Sequence, residues 1–141
     1  MTTTVQSILL DAQVALQDIE GVRWPATELA GYLNDGQRVI STVRPDSTAT
    51  NVTLTLVAGV TQSIPATAQA LIEIIGNSSG AKRAIRQIQR NALDAIEPDW
   101  NSRTQASEIR HFMVDVRNPR KFQVYPPAIV GTTLEGVVST Y

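Results

Sequence analysis

One histidine, no cysteine and a scatter of carboxylates and arginines are the reactive chemistry that these 141 residues offer. His111 alone cannot build a histidine-based metal site or a histidine pair, and its place in the run Ile109–Val114 points to a structural or solvent-facing role. Asp94, Glu97 and Asp99 form a small acidic cluster that could hold a cation or trade protons. They straddle Pro98 without EF-hand spacing, so a solvated loop is the simpler reading. Gly76-Asn77-Ser78-Ser79-Gly80-Ala81-Lys82-Arg83 comes near a phosphate loop and fails. That motif needs Gly-Lys followed by a hydroxyl, whereas Ala81 separates Gly80 from Lys82 and Arg83 takes the hydroxyl's place. The basic run Lys82, Arg83, Arg86 and Arg90 could touch phosphates. Without interleaved aromatics it reads better as a solvated face or a salt-bridge strip between subunits. No serine sits in a nucleophile elbow, and the lack of cysteine removes disulfide, thiolate and thiol-zinc chemistry. No catalytic constellation, metal site or cofactor is expected.

The elements that would carry these residues follow from periodicity. Thr3 or Thr4 can cap a first helix, and Val5, Ile8, Leu9, Ala12, Leu16 and Ile19 repeat at helical spacing up to a stop at Gly21. A second helix is bracketed by Pro25 and Pro45, with Leu29, Tyr32, Leu33, Gly36, Val39, Ile40 and Val43 on one stripe. Its polar face holds Asn34, Asp35, Gln37 and Arg38. After Pro45 the period falls to 2. Val52, Leu54 and Leu56 alternate with threonines, Ala58-Gly59 turns, and Val60–Ile64 returns to Pro65, which predicts a β-hairpin.

The expectation is an α+β fold: a small helical bundle, with a long central helix packed on an N-terminal helix, plus a β-hairpin or small antiparallel β-region and an extended C-terminal arm. Helices are expected at about 4–19, 25–44 and 91–97, and β-structure at about 52–65, 71–75, 84–88 and 109–125. Residues 1–127 would form one domain and residues 128–141 the arm. The length suits one domain with a real core. Charge is nearly balanced, 12 basic against 13 acidic residues, which argues against a polyanion as the main partner. It is uneven, though: six acids and three bases up to Thr50, then seven acids and nine bases. No apolar run approaches the ~18 residues that span a bilayer, and Met1–Thr4 lacks the basic region of a secretory signal. A cytosolic protein, or one assembled there, is expected.

The order of motifs resembles the tailed-phage head-to-tail adaptor (connector, or neck) family. The resemblance rests on Trp24-Pro25, Glu28-Leu29, Tyr32-Leu33-Asn34-Asp35, Gln37-Arg38, Ile40 and Arg44-Pro45. It continues through Leu56-Val57-Ala58-Gly59, Gln62, Ile64-Pro65 and Arg83-Ala84-Ile85-Arg86. Asp99-Trp100, Asn118-Pro119, Phe122 and Val124-Tyr125-Pro126-Pro127 complete it, so it spans Trp24 to Pro127. It implies a non-enzymatic virion protein, assembled in the host cytoplasm, that forms a homo-oligomeric ring, usually of 12 subunits. Such a ring would bind the portal protein, carry the tail or next neck protein, let DNA pass non-specifically and touch no membrane. The segment matching the family's portal-binding arm is Val137, Val138, Ser139, Thr140 and Tyr141. Candidates for contacts between ring neighbours are Asn34, Asp35 and Arg38 with Arg83, Arg86 and Arg90, since a head-to-tail ring needs two complementary faces. The alternatives are another phage structural part, such as a head-completion or tail-terminator protein, and a small enzyme or regulator.

Overall fold

The computed structural model describes residues 3–140, which divide into two units with the boundary between Val43 and Arg44. The first unit holds two helices, α1 (Val5–Ala15) and α2 (Ala26–Val43). Thr4 starts α1 with a capping box: its hydroxyl accepts from the Ser7 N–H while the Ser7 hydroxyl accepts from the Thr4 N–H, both at 3.2 Å. Helix α1 stops at Ala15, short of the expected Ile19, where Gln17 takes a left-handed φ of 56°. The connecting loop is pinned by Asp18, whose carboxylate accepts from the backbone N–H groups of Val22, Arg23 and Trp24 at 3.0, 2.9 and 2.7 Å. Helix α2 keeps the bounds set by the two prolines, with the Pro25 carbonyl accepting from the Leu29 N–H at 3.1 Å.

The second unit begins with a 3₁₀ turn (Pro45–Thr48) and contains seven strands. These are β1 (Ala49–Thr55), β2 (Gly59–Ser63), β3 (Ala68–Asn77), β4 (Arg86–Gln87), β5 (His111–Val114), β6 (Lys121–Ala128) and β7 (Thr133–Thr140). Helix α3 (Arg90–Ile96) and a 3₁₀ turn (Trp100–Ser102) lie between β4 and β5. One sheet has the order β1-β7-β3, the other β2-β6-β5-β4. All neighbours run antiparallel except β4 and β5. Leu54, Leu71, Ile74, Leu134 and Val138 of the first sheet meet Phe112, Phe122 and Val124 of the second in one buried cluster, so the core lies between the two sheets. A smaller cluster of Leu93, Trp100 and Met113 seats α3 against β5, and the buried Trp100 indole donates to Asp94 at 2.6 Å.

Three expectations are corrected. The fold is α+β, but it is not a helical bundle built on a long central helix. Its core is made by strands, while α1 buries no residue and α2 buries only Leu29 and Ser41. The run 52–65 is not a hairpin, because β1 pairs with β7 and β2 with β6, in different sheets. Its corner is fixed by the buried Gln62 amide, which accepts from the Val57 N–H and donates to the Val57 carbonyl, both at 2.8 Å. The extended arm at 128–141 is likewise replaced: residues 133–140 are β7, the middle strand of the first sheet. The short expected strand 71–75 also grows to 68–77, and the one at 84–88 shrinks to two residues.

Candidate interaction surface

Buried polar groups on β3 place the main cationic feature. Asn77 ends β3 with its side chain buried, donating to the carbonyls of Arg83 and Ile109 at 3.0 and 2.9 Å and accepting from the Ile109 N–H at 2.9 Å. A buried amide satisfied this fully is costly to displace. It ties the return from β3 to the segment before β5. Gly76 permits the close passage: a Cβ there would stand 3.0 Å from the Arg83 carbonyl oxygen. Beyond it, β4 lies parallel to β5 with Arg86 opposite His111, and the Arg86 N–H donates to the Arg110 carbonyl at 3.2 Å.

The result is a surface cleft of about 530 Å³ lined by Arg83, Ala84, Arg86, Arg110 and His111. Arg83 pairs with Glu108 at 2.9 Å. Neither Arg86 nor Arg110 pairs with a carboxylate among the described residues. His111 stacks on Tyr125, with ring centroids 6.2 Å apart, and its Nδ1 is buried without a hydrogen-bond partner. Arg90, the third expected basic residue, lies elsewhere. It opens α3, reaches Asp94 at 3.7 Å and lines a separate groove of about 410 Å³ with Arg117 and Lys121. Arg110 and His111 were not legible as part of this group, since no local pattern announces a parallel pairing across more than twenty residues.

The acidic cluster is neutralised by its neighbours. Glu97 pairs with Arg103 and accepts from the Tyr125 hydroxyl, a bond that pushes the phenol's pKa upward. Arg103 also reaches Asp99 at 3.5 Å. Among the described residues no group of His, Cys, Asp and Glu is arranged to hold a metal ion.

On the helical unit, Asn34, Asp35 and Arg38 are exposed, with Arg38 3.3 Å from Asp35. Glu28 accepts from the Tyr32 hydroxyl at 3.0 Å, which raises the pKa of Tyr32. Apolar residues of these helices are exposed as well: Val5, Val14, Tyr32, Val39, Ile40 and Val43 are each more than half accessible. In β7, Val138 and Ser139 are fully buried, with the Ser139 hydroxyl 3.0 Å from that of Thr48, while Val137 and Thr140 are half-buried. Tyr141 lies outside the described residues.

Exposed apolar residues on both helices, and two guanidinium groups without a carboxylate partner among the described residues, are the surface features this chain presents. The chain belongs to the SU10 adaptor protein family, whose model matches residues 3–141. A comparison with curated proteins finds no match. The protein is therefore a phage structural adaptor and a component of the virion, and its family is structural rather than enzymatic.

Proposed function

We propose that copies of this chain form a ring that joins the portal vertex of a phage capsid to the tail, with DNA passing through its channel. The observation that carries this reading is the helical unit. Helix α1 buries nothing and α2 almost nothing, so two amphipathic helices leave apolar stripes uncovered in the single chain. Exposed apolar surface of that kind is stabilised by a neighbour, and identical neighbours are the ones a closed ring supplies. Asn34, Asp35 and Arg38 on one copy, with Arg83, Arg86 and Arg90 on the next, are the polar contacts of that interface. The portal-facing role of Val137–Tyr141 falls, within β7, to the half-exposed Val137 and Thr140, because Val138 and Ser139 are committed to the interior.

Sedimentation of the chain alone and with its phage's portal protein tests the ring. A ring of one defined stoichiometry, seated on the portal, is the expected result. A chain that stays monomeric in both samples, or that binds tail tube instead of portal, overturns it.

A further inference from the structure

The uneven charge along the sequence falls on the boundary between the two units. Residues 1–43 carry five acids against two bases, a net charge of −3. Residues 44–141 carry eight acids against ten bases, a net charge of +2. Within the basic unit, several acids are already engaged: Asp94, Glu97, Asp99 and Glu108 each face an arginine of the same unit. Of this unit's bases outside ion pairs among the described residues, Arg86 and Arg110 share the cleft beside β4, while Arg117 and Lys121 line the other groove and Lys82 and Arg120 lie in neither. Within the acidic unit, Glu28 and Asp35 stand two helical turns apart on α2, about 10 Å along its axis, on one face with Tyr32 between them. Glu28 accepts only a phenol hydrogen bond, and the Arg38–Asp35 pair is formed by side chains that are 65% and 70% exposed. Such a pair is screened by water and easily re-partnered.

We infer that the cleft of Arg83, Arg86 and Arg110 receives the Glu28–Asp35 carboxylate face of a second copy's α2, so that each copy gives acid on one side and takes it on the other. Guanidinium forks match carboxylates in two-point geometry, which fixes the angle between neighbours as well as attracting them. Head-to-tail pairing of unlike faces is the heterologous contact that closes into a ring when the rotation between neighbours allows it. The inference rests on the ring reading above.

Charge reversal tests it, with assembly on portal followed by sedimentation. Arg86→Glu with Arg110→Glu, or Glu28→Lys with Asp35→Lys, is expected to raise the concentration for half-assembly at least ~10-fold, since like charges then face each other. An equal mixture of the two reversed chains should assemble again, because every interface in the mixed ring then joins opposite charges. The neutral variant Arg86→Gln with Arg110→Gln should fall between parent and reversal, and far-UV circular dichroism shows that each variant keeps its fold. Rescue only when both reversals sit in one chain would mean contact within a chain and overturn the inference. Reversed chains that assemble like the parent would overturn it while leaving the ring intact. Loss of binding to a 30-base-pair DNA duplex with assembly unchanged would reassign the cleft to nucleic acid. A parent chain that never assembles removes the ring reading and this pairing with it.

Discussion

The helical and strand units meet the same physical problem in opposite ways. Both are amphipathic along their elements. The strand unit folds its apolar faces onto each other, and Phe122, Val124, Leu134 and Val138 lose all contact with solvent. The helical unit, within one chain, leaves Ile40 at 55% and Val43 at 74% accessible. A periodic stripe therefore says that a face will be covered, and not whether the cover comes from the same chain. One unit is stabilised by its own core, whereas the other is held by local devices: a capping box, a carboxylate-bound loop and two bracketing prolines.

That contrast can be broken experimentally. Deleting residues 137–141 removes half of the strand on which β1 and β3 both pair, and should abolish cooperative unfolding of the strand unit, a loss of more than about 5 kcal/mol. A truncated chain that melts like its parent would show that β7 is dispensable. Phe122→Ala should cost about 3–5 kcal/mol in denaturant titration, while Ile40→Ala in the single chain should stay within about 0.5 kcal/mol. Equal losses would erase the distinction between the units. Asn77→Ala strands the buried Ile109 N–H and carbonyl, while the Arg83 carbonyl keeps its bond from the backbone N–H of residue 77, and about 2–3 kcal/mol should be lost. Thr4→Ala should cost about 1 kcal/mol locally, seen as faster amide exchange in α1 with the strand unit unaffected.

The smallest effect is set by pH. Backbone donation, from Trp24 above all, holds the Asp18 carboxyl below its ordinary pKa of 3.8. A depressed carboxyl adds stability that is fully present above the unfolded value and is lost as pH falls through the folded one. The Val22, Arg23 and Trp24 amide resonances should therefore move together below about pH 4, and Asp18→Asn should flatten that response.

These same residues show how far the sequence could be read. Pro25 and Pro45 mark α2 because proline acts on its own backbone and its neighbour's, a local cause with a local signature. The alternation of Val52, Leu54 and Leu56 marks a strand for the same reason. Partners are another matter. β1 finds β7 some eighty residues on, and nothing in Leu54 distinguishes Leu134 from a hairpin mate. The Gln62 amide that turns the corner reads, in sequence, as one more polar residue on an exposed strand. Val137–Thr140 reads in sequence as a free arm, yet a turn at Val130-Gly131, where Gly131 takes a φ of 84°, carries the chain into β7 between β1 and β3. Of the cleft, Arg83 and Arg86 were legible as a basic run. Arg110 and His111 joined them only through the β4–β5 pairing.

The pairing of β1 with β7 also sets how the molecule bears load. Ala49 lies opposite Ser139 and Thr55 opposite Thr133, so the chain enters from the helices beside the end at which β7 finishes. Tension applied between residues 44 and 140 would pull both strands from that shared end and open their seven residue pairs one after another, like a zipper. The first teeth are reinforced: the Thr140 hydroxyl donates to the Thr48 carbonyl at 3.4 Å, and the Thr48 and Ser139 hydroxyls meet at 3.0 Å. Pulling on the helices against the far end of the sheet would instead shear all seven pairs together. The strand unit is therefore a joint with a strong direction and a weak one.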